Sequence, residues 1–312
     1  MHEGIPILLN KKINSPLIQL QTQYSASNHL TLSVKRDDLI HSTISGNKWR
    51  KLKYTLLYAK EQGFKKVLSF GGGYSNHIHA LAYAAKASGL SSKGIIRGEY
   101  DPFNPTIAQA RSAGMDIEFI SRLEYKSRHD PAYLTQLQQK HPDHFIIPEG
   151  GTSKFALQGV AEIINELPND VTHICTPCGS GGTTAGLLTG AKESQQIVSI
   201  PVLKKAAYLQ NEIATLLGVE QHLMQLDFIE DYHFGGYGKI QPELLTFIED
   251  FYQDFGIILE PIYSGKMFYA IFDLIKQGFF PPGSHIVLLH TGGLQGLAGL
   301  KQRKLIPEDW PN

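Results

Sequence analysis

Lys48 follows a Ser-Gly-Asn turn and opens the run NKWRKLKY, with Arg50, Lys51 and Lys53 close behind. Most lysines in such a run solvate a helix face. A lysine kept for covalent chemistry must be partly neutral, because only the free amine attacks a carbonyl, and neutrality needs burial or neighbouring cations. The other parts of the chain decide between these readings. Three glycine-rich turns stand out: SFGGGYSNH (69–77), TPCGSGGTTAGL (176–187) and HTGGLQGLAGL (290–300). Glycine lets the backbone come close to a ligand, and free N–H groups at a helix start favour an anion. In the second turn Ser180, Gly181, Gly182 and Thr183 offer consecutive N–H groups and two hydroxyls, the composition of a phosphate cradle. It is not a Walker loop, since no Gly-Lys-Ser/Thr ends it. It is not G-x-G-x-x-G either, because Thr184 stands at the third glycine position.

The elements that must position these residues alternate along the chain. KKVLSF (65–70), KGIIRG (93–98), MDIEFI (115–120) and HFIIPEGG (144–151) read as strands, with helices between them. One of these helices is SNHIHALAYAAKASG (75–89), with Ser75 or Asn76 as its cap and Gly89 as its stop. The second half repeats the rhythm through VTHICTP, QQIVSIPV, MQLDFIED, IILEPIY and HIVLLHTGG as strands. This alternation predicts an α/β fold whose parallel sheet carries helices on its faces, with ligands at the carboxyl ends of the strands. There is no repeat, low-complexity tract or long linker, so any domain division must come from the sheet splitting in space.

Composition narrows the classes. The chain has 312 residues, 42% hydrophobic and 19% charged, and its 29 basic and 29 acidic residues cancel. That balance argues against a nucleic-acid partner. No apolar run reaches membrane-spanning length and the N-terminus lacks a leader pattern, so the expected location is cytoplasmic, with no membrane partner. The two cysteines form a C-x-x-C, Cys175 to Cys178. A redox role would want the first cysteine at a helix start, and no second Cys/His pair suits a metal, so no metal is expected and Cys175 reads as core.

An Asn-Lys pair before a helix, an anion nest at 180–183 and a Ser-Asn after a glycine-rich strand end point together to pyridoxal phosphate. That cofactor needs a lysine for its aldehyde, a nest for its phosphate and a donor for its ring hydroxyl. Six stretches, SGNKWRKLKY, SFGGGYSNH, GSGGTTAGL, GGYG, EPIYSGKMF and HTGG, occur in this order from about residue 14 to 300. In this the chain resembles the pyridoxal-phosphate enzymes related to tryptophan synthase β-subunit, and within them the D-cysteine desulfhydrase / 1-aminocyclopropane-1-carboxylate deaminase family. The resemblance implies fold type II: two open twisted, mostly parallel sheets with helices on both faces. It also implies a large cofactor-binding domain (1–52 and 156–312), a small one (53–155), and a homodimer acting on a small amino acid.

Residue by residue, Lys48 matches the lysine that bonds the cofactor aldehyde and moves the substrate α-proton. Lys51 matches a phosphate contact, Asn76 the donor to the ring oxygen, and Ser75 a serine beside the substrate carboxylate and Cα. Ser180, Gly181, Gly182 and Thr183 match the phosphate cup. Tyr237 and Tyr263 match two active-site tyrosines, and Thr291 matches the residue facing the pyridine nitrogen. In the deaminase branch a glutamate follows the tyrosine of Y-E-G-K and a leucine precedes the last Gly-Gly. Here Ser264 and Thr291 stand there, as in the desulfhydrase branch. The implied reaction is α,β-elimination from a small D-amino acid, D-cysteine first, with aminocyclopropane carboxylate deamination as the alternative. A phosphorylated-ligand binder without turnover is a third reading, which an intact Lys48 beside Ser75 and Asn76 opposes. Two departures bear on the substrate. Tyr74 replaces a usual glutamine and would reshape the pocket beside Ser75, and Ser45 replaces a usual glycine.

Overall fold

The computed structural model describes residues 13–23, 29–44, 46–99, 103–218 and 220–310. Ser45 and the N-terminal stretch 1–12 lie outside the described residues. Strands β3 (Lys66–Gly71), β4 (Ser91–Arg97), β5 (Asp116–Ile120) and β6 (His144–Ile147) form an all-parallel sheet in the order β5-β4-β3-β6. A second sheet has the order β1-β2-β10-β7-β8-β9. Its strands are β1 (Leu17–Leu20), β2 (Thr31–Lys35), β7 (His173–Cys178), β8 (Gln196–Pro201), β9 (Leu226–Phe228) and β10 (His285–Leu289). Its pairs are parallel except β1 with β2. This is the two-sheet α/β architecture that the resemblance implied.

Helices cover both faces of the large sheet, and β10 shows why. Its five residues HIVLL are all buried, as expected of a strand enclosed on two sides. Ile286 and Leu288 join one core with Phe251, Met267 and Phe268, from α8 (Pro242–Phe255) and α9 (Ser264–Lys276). Val287 and Leu289 join the opposite core with Val160 of α5 (Lys154–Asn165) and Leu187 of α6 (Gly182–Gly190). Cys175 belongs to the first core and Cys178 to the second, so the two thiols point to opposite faces of β7. They are buried and unbonded, and this arrangement removes the basis for disulfide exchange between them.

Helix α1 (Asn47–Glu61) carries Lys48 and Lys51. Trp49, Leu52 and Leu56 pack with Ile78 and Leu81 of α2 (Asn76–Ala87), the helix that follows β3. The domain division expected at 52–53 therefore falls inside a continuous helix. On its other side α1 is anchored by Arg50. The guanidinium meets Asp37 at 2.6 and 2.7 Å and Glu166 at 2.8 and 2.9 Å. Lys35 closes the network at 2.8 Å from Glu166.

Two sequence readings are corrected. IILEPIY forms no strand: it runs without ladder partners into a turn and then α9, because Pro261 offers no N–H and the Glu260 carboxylate caps the helix instead. Strands β1 and β2 went unread, since LIQL and TLSVK are short and lie ahead of the clear alternation. Among the described residues, no helix is long and apolar enough to cross a membrane, and no cluster of three or more His, Cys, Asp or Glu is placed to hold a metal.

Removing Arg50 leaves the buried Asp37 carboxylate without its cation and Glu166 with Lys35 alone. Arg50→Met is expected to cost about 3–5 kcal/mol of stability, read by urea unfolding. A loss below about 1 kcal/mol would show that the network does not anchor α1.

Candidate active site

The site lies where strand ends of both sheets meet the start of α1. Gly46 makes the junction possible: its φ is +63°, and a Cβ there would sit 1.7 Å from the Thr291 carbonyl oxygen. Only glycine allows the contact in which Asn47 N–H donates to that oxygen at 3.2 Å. Lys48 is thereby set beside the Thr291 loop that follows β10. Its Nζ donates to the Gly150 carbonyl at 3.3 Å, in the turn after β6. Burial lowers its pKa to about 8, against the opposing pull of Glu149.

One turn along, Lys51 is buried, with Nζ 3.3 Å from the Gly150 carbonyl and 3.2 Å from Thr152 Oγ1. Burial first, and Lys48 second, push its pKa well down. Among the described residues, no carboxylate pairs with Lys51. It faces the N-terminus of α6, which starts after Gly181 in the left-handed conformation. A Cβ on Gly182 would lie 2.8 Å from both Lys51 Nζ and Thr152 Oγ1, so the backbone itself forms that wall. Ser180 Oγ is 2.7 Å from Thr152 Oγ1, and Asn47 Nδ2 donates to Thr183 Oγ1 at 2.9 Å.

The turn after β3 supplies the other side. Ser75 caps α2, accepting from Ile78 N–H at 3.3 Å, so the cap is Ser75 rather than Asn76. Asn76 Oδ1 accepts from Gln295 Nε2 at 2.7 Å, and its Nδ2 lies against Gly293, where a Cβ would come within 2.6 Å. Asn76 is thus held against the Thr291–Gly293 loop from the opposite sheet. At the mouth, the Tyr263 hydroxyl donates to the Tyr237 hydroxyl at 3.3 Å, and the Tyr263 ring covers Gly179. Burial, then Tyr237, pushes the Tyr263 phenol well up, so it stays protonated at neutral pH.

A family model described as pyridoxal-phosphate dependent enzyme matches residues 9–292. The chain belongs to that family. A Pyrococcus abyssi protein named for 1-aminocyclopropane-1-carboxylate deaminase is 31% identical, across 95% of this chain and 96% of its own. A mitochondrial bifunctional D-cysteine desulfhydrase/1-aminocyclopropane-1-carboxylate deaminase of Arabidopsis thaliana is 30% identical, across 86% of this chain and 74% of its own. The solved structure of an aminocyclopropane carboxylate deaminase homologue superposes with a TM-score of 0.79 at 28% identity, covering 98% of this chain and 99% of that one. Both activities named in the sequence resemblance therefore recur among its relatives.

The residues present fit the family's cofactor. A buried ammonium without a carboxylate, facing a helix N-terminus through a glycine wall, is a site that an anion stabilises from both sides. Of the residues singled out from sequence, Lys48 and Lys51 meet at the Gly150 carbonyl, Ser180 reaches Lys51 through Thr152, Asn47 ties Thr183 to the start of α1, Asn76 reaches the Thr291–Gly293 loop, and Tyr263 covers Gly179 beside Tyr237. Sequence reading missed the turn after β6. Thr152 and the Gly150 carbonyl contact Lys51, and the Gly150–Gly151 pair closing a predicted strand was their signal. It also missed Gln295, Glu260 and Lys266. The Tyr74 ring packs on Gly299 of α10 (Gly296–Gln302), with the Arg303 guanidinium 4.4 Å from the ring centre. His290 is structural, buried and 2.7 Å from the Ile258 carbonyl.

The lowered pKa of Lys48 has a kinetic consequence. In cofactor-free protein, capture of pyridoxal phosphate should rise with pH, levelling above about 8 as the free amine saturates. Glu149→Gln should move the midpoint down, because Glu149 holds Lys48 protonated. Stopped-flow absorbance reads both, and a midpoint near the ordinary lysine value would refute the assignment.

Proposed function

We propose that this pyridoxal-phosphate enzyme is a lyase catalysing α,β-elimination from a D-amino acid with a good β-leaving group, D-cysteine being the best single substrate. The observation that carries this reading is at position 264. There the deaminase branch has a glutamate, whereas Ser264 is fully buried and its hydroxyl bonds the Glu260 carboxylate at 3.0 Å. Glu260 is itself turned onto the backbone N–H groups of residues 262–264. This supports a cleft without the carboxylate that ring opening would call on.

In this reading Lys51, Ser180, Gly181, Gly182 and Thr183, with Thr152, hold the cofactor phosphate, and Asn76 donates to the ring oxygen. Thr291 would meet the ring nitrogen with a hydroxyl, a weaker proton donor than a carboxylic acid. Bound pyridoxal phosphate supplies an electron-withdrawing ring joined to the substrate amine, which acidifies the substrate Cα–H. Lys48 holds the cofactor and then, as a free amine, takes the proton from Cα. Ser75 lies beside the substrate carboxylate. The Tyr263–Tyr237 pair puts a protonated phenol at the mouth, where the thiolate departs. The reaction balances as D-cysteine plus water giving pyruvate, ammonia and hydrogen sulfide.

Deamination of aminocyclopropane carboxylate is the second reading, favoured by the Pyrococcus relative's name and by the structural neighbour. A substrate panel separates the two. D-cysteine should exceed aminocyclopropane carboxylate in kcat/KM, and the reverse by tenfold, about 1.4 kcal/mol in the transition state, would overturn the choice. Borohydride should fix the cofactor to the Lys48 peptide, and Lys48→Ala should abolish that label and lower turnover by several orders of magnitude.

A further inference from the structure

Tyr237 poses a physical problem. Half of its surface is exposed, so burial does not fix it, and the hydroxyl contact with Tyr263 at 3.3 Å is a weak tether. The loop that carries it is strained: Phe234, Gly235 and Gly236 all have positive φ, at 52°, 88° and 115°. A non-glycine residue there persists only where its surroundings over-determine it.

Lys266 supplies that restraint. Its side chain has no exposed surface, and its Nζ donates to the carbonyls of His233 and Gly236, each at 2.9 Å. It clamps both ends of the strained turn immediately before Tyr237. Lys266 lies in the first turn of α9, the helix whose N-cap is Tyr263. Glu260 fixes that start. Its buried carboxylate accepts from Ile262 N–H at 2.7 Å, Tyr263 N–H at 3.0 Å and Ser264 N–H at 2.6 Å. Among the described residues the two charges make no direct ion pair, and each is spent on backbone beside one tyrosine. Burying two charges on backbone partners costs free energy that apolar side chains would avoid.

The geometry points to Lys266 and Glu260 as positioning residues that set the Tyr237–Tyr263 contact, Lys266 through the 233–236 turn and Glu260 through the start of α9. Lys266 bonds only the 233–236 turn, and Glu260 lies behind Gly293 with its carboxylate turned to the start of α9. The inference rests on the elimination reading only for the step at which the phenols act.

A double-mutant cycle on the holoenzyme tests it. Lys266→Met should lower kcat/KM for D-cysteine by about 10- to 100-fold while changing pyridoxal-phosphate affinity less than about threefold. In a Tyr237→Phe background the same substitution should cost less than about threefold, because the group it positions is gone. An equal loss in both backgrounds, or no loss in either, overturns the inference. Should the methionine variant not fold, Lys266→Gln keeps one donor for the turn and enters the same cycle. A second arm needs no turnover: alkaline titration of tyrosine absorbance near 295 nm. Tyr237 helps to hold the Tyr263 phenol high. Lys266→Gln should therefore lower the midpoint that Tyr263→Phe removes, and should not lower it further in Tyr237→Phe. An unchanged midpoint overturns the positioning role. A shifted midpoint in an enzyme that turns over no member of the panel upholds positioning and refutes the elimination reading.

Discussion

Arg50 is the fixed point of the cleft. It has no exposed surface, and two carboxylates from different parts of the chain grip its planar fork, Asp37 after β2 and Glu166 at the end of α5. Such a bidentate arrangement sets orientation as well as distance. It fixes the rotation of α1 about its own axis, and rotation decides where the neighbouring lysines point. With Arg50 turned toward the large sheet's flank, Lys48 and Lys51 fall on the side where the turns after β6, β7 and β10 converge. The charges of Arg50 are fully answered within the protein; those of the two lysines are not. One short helix thus separates cations that build the fold from cations left for a ligand.

That separation gives the phosphate cradle its electrostatics. Lys51 is desolvated, meets only a carbonyl and a hydroxyl, and faces the positive end of α6. In isolation this is unfavourable, because nothing offsets the loss of water around the ammonium. A bound dianion reverses the sign of each contribution at once. The hydroxyls of Ser180, Thr152 and Thr183 add donors that can turn to whichever oxygen is present. The cradle is therefore specific for charge and size more than for chemical identity. In the proposed reading, discrimination among substrates falls instead to Ser75 and the tyrosine pair, away from this turn.

The strand-to-helix turn at 180–183 is legible because Ser-Gly-Gly-Thr after a strand lets the backbone turn left-handed at Gly181 and open α6 against Lys51. The turn after β6 was harder, since only a Gly-Gly pair marked it and Thr152 lies beyond the strand. Glu260 and Lys266 were illegible for a different reason. A charged residue every few positions in EPIYSGKMF reads as the solvated face of a helix, and nothing local reveals that Glu260 is buried on the N–H groups just after it or that Lys266 is buried on carbonyls of the 233–236 turn. The apolar run IILEPIY was misread because its hydrophobicity serves packing around α9 and not a ladder. Tyr74 shows the limit most clearly. Its place beside Ser75 was evident, but its direction depends on Gly299, more than two hundred residues away.

The two sheets are also coupled through the basicity of Lys48. Burial lowers its pKa and Glu149 raises it, burial being the larger influence. Glu149 belongs to the small sheet's side of the cleft, where the Tyr125 hydroxyl at 2.6 Å and Arg128 at 2.5 Å hold it. Drawing the small sheet away would remove the carboxylate, which alone would make Lys48 still less basic. It would also admit water around the ammonium, which acts the other way and with greater weight. Water around the ammonium would return Lys48 toward an ordinary lysine, and the packed arrangement raises the share of free amine, which becomes the major form only above about pH 8. The packing that excludes water is also what lowers the basicity of Lys48, so the reactivity of the amine and the enclosure of the site depend on the same contacts.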